Sequence, residues 1–229
     1  VTETAKPARC LGLLGGLGPG ATVHYYRVLL AAHAAANRVP QMLIAHADVD
    51  RVRQLVEQKD LTGLARYLAG FIASMKAGGA EMTAIVAITP HICAAELTAI
   101  SPLPLIDMVS VVGDDIRARG LKRVALLGTR FTVESRMFGR LPCDVVMPKP
   151  DEIDTIHNTY LDVLYDRSTP AQIDRLRDLA RILVKRDGAE ALLLAGTDLS
   201  MVMDEKSSGF PAIDCAALHI RTITQKLIA

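Results

Sequence analysis

Two segments with the same pattern, in opposite halves of the chain, constrain its fold more than any other feature. Met82 to Cys93 reads MTAIVAITPHIC, and Ala191 to Asp198 reads ALLLAGTD. Each is an apolar run that stops at a small residue and is followed by threonine and a polar side chain. An apolar run without polar alternation reads as a strand buried on both faces, as in a parallel sheet. Thr89 and Thr197 are 108 positions apart (197 minus 89), and the strand-end pairs Gly15-Gly16 and Gly128-Thr129 are 113 apart (128 minus 15). A repeat of half the chain predicts two similar α/β halves. Ligands of open parallel sheets collect at the carboxyl ends of the strands, and the pattern places Thr89, His91, Thr197 and Asp198 there.

The other segments fit the same plan. Cys10 to Gly16 is an apolar strand running through Gly15-Gly16 into Leu17-Gly18-Pro19-Gly20-Ala21-Thr22 and an amphipathic helix. A glycine-rich turn at a helix start is an anion cradle, and it makes Leu17 and Gly18 candidate substrate contacts. GGLGPG is out of register with G-x-G-x-x-G and no P-loop follows, so a carboxylate is expected there rather than a nucleotide cofactor. Met42 to Ala47 is a second strand, running into His46, Asp48, Asp50 and Arg51, whose alternation a strand would place on one face. Two carboxylates and one histidine fall short of a metal-ligand set, so no metal is expected. Lys59 to Ala77 reads as a helix closed by Gly78-Gly79, and Pro102 to Met108 as a short strand.

The second half restarts with the strand Arg123 to Thr129 and a turn, Arg130 to Thr132, into a helix. Cys143 to Met147 is a strand, and Asp151 to Arg167 and Ala171 to Arg186 are helices. The second of these follows Ser168-Thr169-Pro170, a cap with a first-turn proline. Pro211 to Asp214 is a last strand before a closing helix. The expected fold is α/β, with two similar Rossmann-like (flavodoxin-like) domains, parallel sheets and a cleft between the domains. Residues 1–110 with a closing helix at 215–229 are expected to form one domain and 112–214 the other, with Thr89 and Thr197 facing each other.

Composition narrows the partners. Half of the 229 residues are hydrophobic, enough for substantial cores, and the formal net charge of +1 includes no basic run. That argues against nucleic acid and against an anionic membrane surface. No apolar stretch approaches the roughly 18 residues of a membrane span. Cys10, Cys93, Cys143 and Cys215 are too scattered for a zinc site or disulfide framework, which fits a reduced, cytoplasmic chain. Val1 to Arg9 reads as a polar tail. The expected partner is a small carboxylate or amino acid, with at most a second copy of the chain as a homodimer.

The segments LGLLGGLGPGATVHYY, TAIVAITPH, VALLGTRFTVES, GAEALLLAGTDLSMV and FPAIDCAALH together resemble the aspartate/glutamate racemase superfamily. Its usual signatures are GGMGPEAT, CNTAH, LLGT-x-x-T and GCTE, and the match runs from about Cys10 to the C-terminus. The resemblance implies two α/β domains with an active site between them and no cofactor. In that family one cysteine from CNT and one from GCTE face each other across the substrate α-carbon, one removing the proton and the other donating one. Here those positions hold Ala87 and Gly196, flanked by Ile88 and Ala195. A methyl group and a hydrogen have no proton to give. The two-thiol route is therefore closed, and two small residues in place of thiols are expected to leave room for a bulkier substituent.

The resemblance also assigns the remaining candidates. Thr89, Thr132 and Thr197 match motif threonines that help bind substrate carboxylate, and Thr129 precedes Thr132 in the same turn; strand-end capping is the alternative for all of them. His91 matches the motif histidine, and a hydrogen-bonded histidine at a helix start is its structural alternative. Asp198 stands at the family's Glu position and is the carboxylate candidate for a base. His24 is a third proton-transfer candidate, on the first helix. Cys93 reads as buried and inert, and Cys215 as structural. Leu164 stands where some members carry a charged pocket residue. Three functions follow: an enzyme running a lyase, cyclase or isomerase step without thiols, a noncatalytic carboxylate binder, or a racemase using other acid and base groups.

Overall fold

The computed structural model describes residues 9–228; of the tail expected at Val1 to Arg9, all but Arg9 lies outside them. The first half runs β1 (Cys10–Gly15), α1 (Pro19–Ala35), β2 (Gln41–His46), α2 (Val49–Glu57), α3 (Leu61–Ala77), β3 (Met82–Ile85), α4 (Ala94–Ile100), β4 (Leu105–Ile106) and α5 (Met108–Arg119). The second runs β5 (Arg123–Gly128), α6 (Arg130–Glu134), β6 (Asp144–Val146), α7 (Pro150–Leu164), α8 (Pro170–Asp187), β7 (Ala191–Ala195), α9 (Glu205–Ser208), β8 (Ala212–Asp214) and α10 (Cys215–Ile228). The fold is α/β with two parallel four-stranded sheets, of order β2-β1-β3-β4 and β6-β5-β7-β8. The two orders are the same under the half-chain repeat. In each sheet the order reverses beside the first strand, between β1 and β3 and between β5 and β7, and such switch points leave a crevice at the strand ends.

Two compact units divide the chain. One comprises Val1–Val86, Cys93–Ile106 and Ile220–Ala229, and the other Ala87–Ile92 and Asp107–His219. Ala87, Thr89 and His91 therefore group with the second unit, where the repeat alone would leave them with the first. In the first unit every residue of β1 after Cys10 is buried, as are all of β3. Thr83 donates its hydroxyl to the Gly12 carbonyl at 3.1 Å, which satisfies the one polar side chain in that central strand. In the second unit Leu127, Leu192 and Leu194 from the strands pack with Ile156 of α7 and Leu176 and Leu183 of α8. No described helix is long and apolar enough to cross a membrane.

Three local expectations are corrected. His46 to Arg51 is not one strand face. The strand ends at His46, and the Asp48 carboxylate accepts from the Asp50 and Arg51 amides to start α2. The strand expected over Pro102 to Met108 shrinks to Leu105–Ile106, because Asp107 caps α5 through the Ser110 amide. Thr89-Pro90-His91 does not open an α-helix. Thr89–Cys93 is a 3-10 turn and α4 begins only at Ala94. The cap ahead of α8 is as read: the Thr169 hydroxyl accepts from the Gln172 amide, with Pro170 in the first turn.

Candidate functional site

At the β1 switch point the strand ends on Gly15, and Gly16 turns the chain with φ of +85°. Thr22 stabilises this turn from the next helix, accepting from the Gly16 amide at 3.2 Å and donating to the Gly18 carbonyl at 3.0 Å. Gly18 is the N-cap of α1 and has no side chain to give the helix. The first amides of α1 are thus left without a side-chain cap, as an anion cradle requires. Gly18 is buried, and Leu17 and His24 are half-buried.

At the end of β5, Thr129 is the N-cap of the short helix α6. Its hydroxyl accepts from the Thr132 amide at 3.2 Å and shares a hydrogen bond with the Thr132 hydroxyl at 2.9 Å. Thr129 and Thr132 therefore meet, with part of their capacity used in capping. At the end of β7, Thr197 and Asp198 are both buried, with 3% and 2% of their surface exposed. Asp198 Oδ2 accepts from the Tyr160 hydroxyl at 2.7 Å, and the Thr197 hydroxyl approaches the same oxygen at 3.4 Å. Burial and the neighbouring Asp198 charge push the Tyr160 phenol well above its ordinary range, so it remains a donor.

Gly196 is also explained by Tyr160. A β-carbon built on Gly196 would lie 2.5 Å from Tyr160 Cε2 and 3.3 Å from Leu199 Cδ1. The aromatic ring fills the place of a side chain there. This overturns the expectation that missing thiols leave extra space, at least at residue 196. Ala87 is buried in the segment after β3.

His91 of the same unit is also buried. Its Nδ1 meets Asp107 Oδ1 at 2.8 Å, and Arg140 reaches the same oxygen at 2.9 Å. Asp107 Oδ2 accepts from the Ser110 amide at 3.0 Å and the Ser110 hydroxyl at 2.5 Å. Burial works to raise the Asp107 carboxyl, but the hydrogen bond and charge of His91, with Ser110 and Arg140, hold it well below the usual carboxylate range. An ionised carboxylate only accepts, so His91 Nδ1 is the donor to Asp107. Nε2 is buried without a hydrogen-bond partner among the described residues. The His219 ring stands edge-on to His91, with centroids 6.0 Å apart.

Thr89 is half-buried in the 3-10 turn. Leu164 is half-buried at the end of α7, four residues beyond Tyr160. Cys93 is buried and its thiol is pushed up to about 12, chiefly by burial; Cys215 is raised for the same reason. Tyr160, Asp107 and Arg140 were not legible as site residues in the sequence. Asp107 three residues before Ser110 carries a helix-cap signal, but nothing in the chain pairs it with His91, 16 residues earlier.

A family model for Asp/Glu/Hydantoin racemase matches residues 14–223. Among solved structures, a candidate Asp/Glu racemase from Yersinia pestis superposes with a TM-score of 0.85 at 23% identity, covering 96% of this chain and 100% of that one. An aspartate racemase homologue from Pyrococcus horikoshii OT3 gives 0.81 at 21% identity, covering 96% and 99%. Glutamate racemase from Francisella tularensis subsp. tularensis SCHU S4, in complex with D-glutamate, gives 0.65 at 13% identity, covering 96% and 81%. At these identities the likeness is one of fold.

Proposed function

Because the chain belongs to the Asp/Glu/Hydantoin racemase family, a family of isomerases, we propose that it is an enzyme acting on an amino acid or related small carboxylate. Proton transfer in this reading uses Asp198 and the His91–Asp107 pair where relatives use thiols. The observation that carries it is the Asp198 carboxylate, buried at the β7 switch point and held by Tyr160, two residues past the position of a missing thiol. His24, on α1 of the first unit, is a further proton-transfer candidate.

The exchange of base narrows the chemistry. A carboxylate, with an ordinary pKa near 3.9, is a much weaker base than a thiolate, near 8.5. It suits a carbon more acidic than an amino-acid α-carbon, or a step in which a leaving group departs as the proton moves. A lyase, cyclase or isomerase step on a carboxylate fits that limit better than racemisation of aspartate or glutamate. D-glutamate, bound by the Francisella enzyme, makes amino-acid carboxylates natural first probes for this chain.

The test is a thermal-shift screen over both enantiomers of aspartate and glutamate, malonate, succinate and hydantoin, followed by turnover of any ligand that binds. Thr89→Val and Thr197→Val keep shape and delete one hydroxyl each. Each is expected to weaken the best ligand about tenfold, the worth of a hydrogen bond to a charged group. Unchanged affinity in both variants would reduce these threonines to strand-end caps. Binding without turnover would leave a carboxylate binder in place of an enzyme.

A further inference from the structure

We infer that Tyr160 is a positioning residue that has taken over the space of a side chain at residue 196: its ring excludes one, and its hydroxyl holds the Asp198 carboxylate in the site. The inference deepens the proposed function and rests on it only in treating the β7 switch point as the site. The observation behind it is the reason residue 196 is glycine. Other strand-end glycines have causes of their own: Gly16 has φ of +85°, and a β-carbon on Gly128 would lie 2.9 Å from the Ala195 carbonyl oxygen. Gly196 is not among the glycines with positive φ. The tightest contact its β-carbon would make is with Tyr160 Cε2, at 2.5 Å, and the next is Tyr160 Cδ2, at 3.2 Å.

That ring cannot simply swing aside. Its hydroxyl is tied to Asp198 Oδ2 at 2.7 Å, and Leu199 Cδ1 would already be 3.3 Å from the added carbon. A side chain at 196 and the Tyr160–Asp198 bond therefore exclude each other. A single change at 196 would not merely add a group; it would break the contact that places the carboxylate. The Tyr160 phenol from α7 donates to the Asp198 carboxylate, and the Thr197 hydroxyl from its own turn approaches the same oxygen.

The test needs no ligand, so it stands or falls apart from the proposed reaction. Gly196→Cys is measured by thermal melting in three backgrounds: the parent, Tyr160→Phe and Tyr160→Ala. In the parent Gly196→Cys is expected to lower the melting temperature by roughly 5–10 °C, and in Tyr160→Phe, where the ring remains without its tie to Asp198, by less. In Tyr160→Ala the same change is expected to cost little. Equal cost in all three backgrounds, or none in the parent, would overturn the exclusion. The second readout is a double-mutant cycle of Tyr160→Phe with Asp198→Asn, whose melting costs are expected to fall short of their sum, whereas a ring that only packs would leave them additive. Additive costs would overturn the positioning role.

Discussion

Replacing Asp107 by alanine is expected to destabilise the second unit by about 3 kcal/mol, because it removes a helix cap and the hydrogen-bond partner of the buried His91 at once. The carboxylate accepts from the Ser110 amide at the start of α5, from Ser110 Oγ, from Arg140 and from His91 Nδ1. In a chain of this size that corresponds to a fall of roughly 6–12 °C in the melting temperature. Asp107→Asn keeps the shape and removes the charge, and it isolates the pH dependence. The folded carboxyl is held below its unfolded value, by His91, Ser110 and Arg140 acting against burial. Its contribution is therefore fully present above the unfolded value, near 3.9, and is lost as the pH falls from there toward the lower folded value. The gap in melting temperature between the parent and Asp107→Asn should be widest near neutrality and should narrow below about pH 4. A gap that stays constant down to pH 3 would mean that the ionised carboxylate is not what holds His91.

Gly16→Ala is the second large effect, and it acts through the backbone. At φ of +85° an alanine pays about 1–2 kcal/mol for the left-handed region. The added β-carbon would also lie 2.5 Å from the Ala47 carbonyl oxygen and 2.8 Å from the His46 ring. Ala47 cannot retreat freely, since its amide donates to the Gly15 carbonyl at 2.9 Å and extends the β1–β2 pairing. With overpacking at about 1–3 kcal/mol, the total is expected near 3 kcal/mol. Urea denaturation should record it as a lower midpoint with an unchanged slope. Gly79→Ala is the control: it also has a positive φ, 102°, but its β-carbon would meet nothing within 4 Å. If both substitutions cost the same, the close approach of β2 at Gly16 contributes nothing.

The fold was legible because its signals are local or periodic. Parallel strands buried on both faces carry continuous apolar runs such as Leu192 to Leu194, and the half-chain repeat at Thr89 and Thr197 reflects two sheets of one strand order. The caps at Thr169 and Asp107 are short-range chemistry, although only the first was read as a cap. Thr89 and Thr197 stood out by the half-chain repeat and Thr132 by the family motif, while the bond between Thr129 and Thr132 emerges only in the fold. The pairings that give the site its character span the chain: Tyr160 to Asp198 over 38 residues, Asp107 to Arg140 over 33. No periodicity encodes these distances. Gly196 was read as extra space, and nothing in the sequence names the Tyr160 ring that fills it. The strand read into His46 to Arg51 failed because alternating polarity over six residues does not distinguish a strand end from an aspartate-capped helix start.

In the proposed function, Ala87, Gly196 and the Tyr160–Asp198 pair stand where relatives carry thiols, and the site does not racemise aspartate or glutamate. The direct measurement is proton NMR of each enantiomer of both amino acids, incubated with the protein in deuterated water. The α-proton signals are expected to persist, because a carboxylate is too weak a base for an amino-acid α-carbon. Decay of an α-proton signal that Asp198→Asn abolishes would contradict it, showing that this site racemises amino acids with acid and base groups other than thiols.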